Sequence, residues 1–497
     1  MNNTLTSDYQ YVSTTNKEYQ NNRPRWEFLL YSYVGGEEYR RQGYLTRYQL
    51  ESNSEYQQRL FTTPLDNHVQ SVVQVYTSYL FRESPDREFG DWVMNPDVEA
   101  FCKDADMDGR SLDSFMKDVA TWSSVFGHSW ILMTKPNLGA QTLGAEMEMG
   151  VRPYLNLLTP LTVMDWTWTR QPNGRYELTY FKYIEEVVDK TTTIKEWTKD
   201  TIKTWVMNDD KKEAEIILEE VNGLGMIPAV LAYNKRSIVR GLGVSDISDI
   251  ADIQRLIYNY NSEIEQSIRL DGHPSLVVTP DVQYGSGAGA VIVVPENSDP
   301  GLRPYVLEHG GANVATIHDS ISQLVEAIDR LANTGGVRAS ETRTLSGVAM
   351  EVEFSLLNAR LSEKADMMEL AEEQLWNLYG AYMGRTWTGT VEYPGSFNIR
   401  DTQREYQQLA TAKSAATDPR VLAVIDHEII ELLGEDADII MPEMATLVNG
   451  ETVPYDSAEP FEEPELLYDP ATGEEGWVIT FADKRAKMAQ GWVCKED

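Results

Sequence analysis

The chain has 497 residues, 42% of them hydrophobic and 10% aromatic; that is enough apolar material for real cores, so it argues against global disorder and predicts two to four structural units. Its 78 acidic against 43 basic residues leave a formal charge of −35, which argues against a tight DNA binder, because such proteins neutralise phosphates with Lys and Arg. Cys102 and Cys494 are too few and too far apart for a disulfide framework or a zinc-ligand spacing, and fit a chain matured in a reducing cytoplasm.

The N-terminus, MNNTLTSDYQ, lacks the basic-then-apolar order of a signal peptide, and no apolar run is long enough to cross a bilayer. A soluble chain made inside the cell is expected. After a polar arm, residues 25–84 read as helical, most clearly LDNHVQSVVQVYTSYLF, where Leu65, Val69, Val72, Val73, Tyr76 and Leu80 fall at helical spacing. Ser111 is a candidate N-cap for a helix with Asp113 in its first turn and Leu112, Phe115, Val119, Trp122 and Val125 on its buried stripe. Ser114 at the third position excludes a full capping box.

From about residue 152 the period shortens to two. VMDWTWTR and YELTYFKYIEEVV flank a QPNGR turn, where Asn173-Gly174 is expected to supply positive φ angles; TTTIKEWTKDTIKTWVM and EAEIILEEV continue the meander. Asp246–Leu270 carries Ile250, Ile253, Ile257, Tyr260, Ile264 and Ile268, a long amphipathic helix of roughly 37 Å. PSLVVT and AVIVVP read as two strands joined by the loop DVQYGSGAG. Ile317, Ile321, Leu324, Ile328 and Leu331 then make a heptad-like stripe on a second helix. NTGGVRASETRTLSG reads as a mobile loop, and a third helix is expected from Val348 to Met383, with Leu357, Leu361, Met368, Leu375 and Tyr382 among its apolar positions. Beyond residue 397 the pattern is again helical, with Asp418 capping a helix that has Pro419 at its first position and ends at Gly434. ETVPYDSAEPFEEPELLYDPATGEE has no Lys or Arg and four prolines, and reads as an extended, partly disordered tail. No internal repeat is seen.

Recognisable chemistry is absent. There is no Walker A sequence, which argues against a packaging ATPase, and no G-x-S-x-G elbow. Gly285-Ser-Gly287-Ala-Gly289-Ala290 mimics a dinucleotide fingerprint but lies between two strands, with no helix to hold a pyrophosphate. His427-Glu428 opens HEIIE, which lacks the second histidine of a zinc protease. No catalytic residue, cofactor site or metal site is assigned.

From residue 240 the order of elements resembles that of tailed-phage portal proteins. GLGVSDISDIADIQRLIYNYNSEIEQSI followed by HPSLVVT is similar to their first stem helix entering a small β clip. A second stem helix, a tunnel loop and a long helix follow, the last with a Ser-Gly-x-Ala start that is here Ser346-Gly347-Val348-Ala349. LDNHVQSVVQVYTSYLF and GHSWILM resemble the wing. The resemblance covers residues 25–385. It implies an α+β portal fold: arm 1–24, wing 25–244 with its meander at 152–232, first stem helix 245–271, clip 272–312, second stem helix 313–332, tunnel loop 333–346, long wing helix 347–386, a crown-like, mainly helical region 387–450, and an acidic tail 451–497.

The resemblance further implies a closed homo-oligomeric ring of about twelve subunits at one capsid vertex of the virion. Its partners would be the terminase large subunit, then head-tail adaptor proteins, with major capsid and scaffolding proteins around it and double-stranded DNA passing non-specifically. No membrane is involved. Gly335 and Gly336 would hinge the tunnel loop, Arg338 and Arg343 would touch phosphates weakly, and Asp281, Gln283 and Tyr284 would form the docking tip of the clip. Glu341–Glu373, with eight acidic and three basic residues, would make any channel wall there electronegative. The rival readings are another head-tail adaptor, usually much shorter and without this helix order, and an acidic soluble hydrolase.

Overall fold

The computed structural model describes residues 7–92, 95–136, 150–272, 275–277, 283–284, 292–293, 305–307, 312–338, 347–395, 397 and 402–416, with shorter stretches between 421 and 494. It divides into two compact units, Met1–Asn398 and Ile399–Asp497.

The first unit opens with helices α1 (Ser7–Ser13), α2 (Lys17–Val34), α3 (Gly36–Arg41), α4 (Asn53–Thr62) and α5 (His68–Leu80). Local chemistry sets their starts. Asn16 accepts from the Glu18 N–H at 2.9 Å, Ser52 and Glu55 form a reciprocal capping box, and Asn67 accepts from the Gln70 N–H at 2.9 Å, each satisfying otherwise orphan donors. In α5 the expected stripe of Val69, Val72, Val73, Tyr76 and Leu80 is buried. From Ser7 onward the polar N-terminal segment is helical and packed. Tyr9 and Val12 of α1 are buried with Met164, Ile194, Trp205 and Met207, and an arm boundary at residue 24 would fall inside α2.

After β1 (Asp86–Glu88) and a 3-10 turn at Gly90–Trp92 come α6 (Pro96–Lys103) and α7 (Leu112–Phe126). Ser111 caps α7 through the Ser114 N–H at 3.3 Å, and Gly127 ends it at φ 92°. Strands β2 (His128–Thr134), β3 (Tyr154–Leu158) and β9 (Ala229–Tyr233) form an antiparallel sheet in the order β3-β2-β9. Between them β4 (Val163–Arg170), β5 (Tyr176–Val188), β6 (Thr191–Thr198), β7 (Thr201–Asn208) and β8 (Glu213–Val221) make a five-stranded meander in sequential order. In its first turn only Gly174 has positive φ, at 84°. Gly174 N–H donates to Gln171 O and Gln171 N–H to Arg175 O, each at 2.8 Å. This is a three-residue loop with one left-handed glycine, because Pro172 presets the φ of a type I turn and leaves Asn173 right-handed.

Helix α8 (Ser248–Gly272) leads to β10 (Ser275–Val277), β11 (Gln283–Tyr284), β12 (Ile292–Val293) and β13 (Tyr305–Leu307), and α9 (Ala312–Ala332) returns. Among the described residues the expected strands PSLVVT and AVIVVP each pair with another strand. β10 pairs with β13, and β12 with β11, so a small hairpin is nested inside a wider one. A short helix α10 (Gly335–Arg338) precedes the 37-residue α11 (Gly347–Met383), and β14 (Thr390–Glu392) returns to pair with β1.

One continuous core joins α2, α5, α7, β2, β9, the start of α8, the end of α9 and α11. Trp376 on α11, 1% exposed, sits at its aromatic centre, its ring 5.2 Å from Phe89, 5.5 Å from Phe101 and 6.2 Å from Trp387. Each such pair is worth about 1 kcal/mol beyond area burial.

The second unit holds α12 (Thr402–Ala415), β15 (Ala445–Thr446), β16 (Thr452–Val453), β17 (Pro460–Tyr468), β18 (Glu475–Thr480) and β19 (Val493–Cys494). Within the acidic segment β17 is the middle strand of an antiparallel sheet ordered β18-β17-β19. Its alternating PELLY and WVIT runs find partners in sequence beyond the charged segment. Asp418, Pro419 and Gly434 lie outside the described residues.

Candidate functional site at the helix joint 329–338

Helix α9 ends in a Schellman-type turn. Asn333 takes φ 56°, Thr334 N–H donates to Asp329 O at 3.0 Å, and Asn333 N–H donates to Arg330 O at 3.4 Å, which satisfies carbonyls a helix end leaves orphaned. Thr334 O then accepts from Val337 N–H at 3.0 Å and Arg338 N–H at 2.9 Å, starting α10. The left-handed residue at this joint is Asn333, whose short polar side chain tolerates that conformation; Gly335 and Gly336 take helical backbone angles in α10.

Arg338 points into the protein. Its guanidinium pairs with Asp329 at 2.7 Å, with both side chains nearly buried, and also reaches Ser71 Oγ at 3.0 Å and His68 Nδ1 at 2.8 Å on α5. In this conformation the Arg338 donors are engaged with α5 and α9. Arg343 lies outside the described residues.

A second set of bonds holds the same joint to α5 and α11. Tyr76 donates its hydroxyl to Ala332 O at 2.6 Å, and Arg360 donates to Leu331 O at 2.9 Å. Arg360 also pairs with Asp246 at 3.0 Å, and Lys364 with the same carboxylate at 2.5 Å. Lys364 further donates to Ser124 Oγ at 2.8 Å and to Asn234 Oδ1. Both cations stand 5.2 Å from the Tyr76 ring. Burial pushes the Asp246 carboxyl up, but Lys364 and Arg360 outweigh it and hold it below the usual carboxylate value. Burial draws Lys364 below the ordinary lysine value, with Asp246 opposing.

The entry of α8 is fixed in the same manner. Gln254, fully buried, accepts from Val69 N–H at 2.8 Å and donates to Ser32 O at 3.0 Å. Arg59, 3% exposed, pairs with Glu51 at 2.8 Å and donates to Ser262 Oγ at 3.0 Å. Farther along α11, Glu372 is fully buried, taking Arg87 at 2.5 Å, the Tyr393 hydroxyl at 2.7 Å and the Trp376 indole at 3.2 Å. So Arg360, Lys364 and Glu372 turn into the core of the chain.

Sequence reasoning missed Asp246, Arg360 and Lys364 as a unit. A signal was present: Leu357, Leu361, Lys364 and Met368 share one helical stripe, so a lysine stood in an apolar row. Of the expected clip residues, Gln283 and Tyr284 stand opposite Val293 and Ile292, and Asp281 lies outside the described residues. Among the described residues the expected loop and clip positions fall in two places: Gln283 and Tyr284 side by side in β11, and Gly335, Gly336 and Arg338 within α10. Among the described residues no group of three or more His, Cys, Asp or Glu side chains suits a metal ion, and no helix is long and apolar enough to cross a membrane. Cys102 is a free thiol, pushed up to about 11 by burial. What the joint can do is mechanical: its charges are spent within the chain, coupling the end of α9 to α5 and α11.

No curated protein matches the chain. Solved structures similar to it include the virion of a native gene transfer agent (GTA) particle, at 10% identity and a TM-score of 0.40 over 73% of this chain and 89% of that one, and the neck of an empty GTA particle computed with C6 symmetry, at 10% identity and 0.42 over 81% and 99%. The family model "Phage portal protein, SPP1 Gp6-like" matches residues 12–409. That is well over half of the sequence, and the chain belongs to this family of phage portal proteins.

Proposed function

We propose that this chain forms a closed ring at one capsid vertex, serving as the conduit for double-stranded DNA during genome packaging and ejection. It acts structurally and catalyses nothing itself. The observation that carries the reading is the order α8, nested β hairpins, α9, joint and α11. β10 pairs antiparallel with β13, so α8 leaves and α9 returns beside it, the two helices packing together. In these terms α8 and α9 are the stem, residues 272–312 the clip, 333–346 the tunnel loop, and α1–α7 with the meander and α11 the wing.

Exposure along the stem supports a ring. Ile250 and Ile257 at the start of α8 are buried, yet Ile268 is 54% exposed and Leu331 on α9 is 44% exposed. A single chain thus leaves part of each predicted stripe uncovered, and a neighbouring stem would cover it. The charge of −35 suits a passage that DNA must traverse without dwelling. With Arg338 committed to the joint, we assign the weak phosphate contact to Arg343. We assign the clip tip, Asp281, Gln283 and Tyr284, to docking of the terminase large subunit and later of head-tail adaptors, with capsid and scaffolding proteins around the wing.

Negative-stain electron microscopy of the purified chain tests this directly. Top views with an open centre and about twelve-fold symmetry are expected. Compact monomers that form no ring even with capsid and scaffolding proteins present would overturn the reading.

A further inference from the structure

The two flanks of the five-stranded meander carry opposite charge and matching apolar exposure. On one flank is β8, whose outer edge bonds to no strand among the described residues. It holds four glutamates and no Lys or Arg. Ile217 and Leu218 are 57% and 49% exposed, although α1 packs on this part of the sheet. A strand edge of this kind is a template for association unless something covers it.

On the other flank, beside β4 and β5, projects the loop Lys235-Arg236-Ser-Ile-Val-Arg240. It is braced by an Arg236–Gly243 bridge and by Ser237 N–H to Leu242 O at 3.2 Å. Ile238 at its tip is fully solvent-exposed. The Arg240 guanidinium lies 3.7 Å from the Tyr176 ring centre at the start of β5, and Gly241 packs against Trp166 of β4, leaving no room for a Cβ. Among the described residues neither Arg236 nor Arg240 has a carboxylate partner, unusual in a chain with 78 acidic residues. A cleft of about 320 Å³ opens between this loop and α11.

The loop and the β8 edge are separated by four inter-strand spacings in the order β4-β5-β6-β7-β8, about 19 Å. One chain cannot close them on itself across its own sheet. Two different, complementary patches on opposite flanks define a head-to-tail contact, the kind that generates a ring when its rotation closes.

We propose that the loop 235–240 of one copy docks on the β8 edge of the next. Ile238 packs on Ile217 and Leu218, and Arg236 and Arg240 meet the β8 glutamates. This inference rests on the ring reading above and names an interface for it.

Charge exchange provides the test. Glu215 and Glu220 lie opposite Val206 and Ile202 of β7, so reversing them disturbs no cross-strand ion pair. R236E/R240E makes both patches acidic, and E215K/E220K turns the two β8 positions meant to meet the basic loop from acidic to basic, leaving Glu213 and Glu219 in place. Each variant alone is expected to lose rings and sediment as monomer, with unchanged circular dichroism. Mixing the two is expected to restore rings, because every loop then meets an oppositely charged strand on the other variant. Combining all four substitutions in one chain should restore rings as well. Rings formed by both single-patch variants, or a mixture and a four-fold variant that remain monomeric, would overturn the interface while leaving the ring reading intact. Failure of the unaltered chain to form rings under any condition would overturn both.

Discussion

Arg338 closes a 2.7 Å ion pair onto Asp329 across the turn between α9 and α10, with both side chains nearly buried. The pair locks the direction in which the chain leaves α9, since Asp329 O also accepts from Thr334 N–H and Arg338 reaches α5. Removing one partner of a buried pair strands the other charge and costs about 3 kcal/mol or more. R338A is expected to lower the unfolding free energy by that amount, read as a lower urea midpoint at unchanged slope, and R338K, which keeps the charge but not the forked geometry, by less. Wild-type stability of R338A would show that Asp329 finds solvent without the pair.

His128 gives a pH dependence of known sign. It is wholly buried at the start of β2, accepts from Gly243 N–H at 3.3 Å and meets the Trp26 ring at 5.8 Å. Burial lowers its pKa from 6.5 to about 3. The unfolded chain therefore binds this proton first as pH falls, so the stabilisation is complete above 6.5 and is lost progressively towards 3. Between pH 7 and pH 5 the loss is about 2 kcal/mol. H128N, whose amide oxygen still accepts from Gly243, should show that much less pH dependence than the unaltered chain in denaturant titrations at the two pH values. Equal slopes would mean that His128 is already hydrated and titrating normally.

The same neighbourhood contains a close backbone approach that tolerates no side chain. A Cβ on Gly243 would lie 1.8 Å from Gly127 O, and one on Gly127, itself at φ 92°, 2.5 Å from Gly243 O. Neither obstacle is a side chain able to rotate away. G243A should cost about 3 kcal/mol and reduce soluble yield, read as a lowered Tm. A normal Tm would show that the α7–β2 turn and the segment before α8 separate readily.

How much of this was visible beforehand depends on the range of the forces involved. The α5 stripe, the meander and the three long helices were legible because each is a local period of two or 3.6 that its core neighbours reinforce. Pairing of β10 with β13 was not, since AVIVVP is as apolar as YVL and nothing local chooses between them. Lys364 stood out of place on an apolar stripe, but its meaning waited for Asp246, which also holds Arg360 from 114 residues away. Arg338 looked like a loop cation because its partners Ser71 and His68 lie on a helix more than 260 residues earlier. At the joint the Gly pair drew attention from Asn333, the residue that takes the left-handed turn.

That pair still carries a prediction about movement. Gly335 and Gly336 are helical in this structure, so they spend none of their conformational freedom here, and glycine in a helix is less stable than alanine by about 1 kcal/mol per site. Two glycines at a joint that never unwinds would be a pure loss; two at a joint that unwinds as DNA passes would ease that step. G335A/G336A should therefore form rings normally, hold the joint more firmly, and yield particles with less nuclease-protected DNA. Bulky β-branched replacements should impair packaging further, with rings still assembled. If the alanine variant protects as much DNA as the unaltered chain, the joint is static and the glycines answer only to packing beside α5.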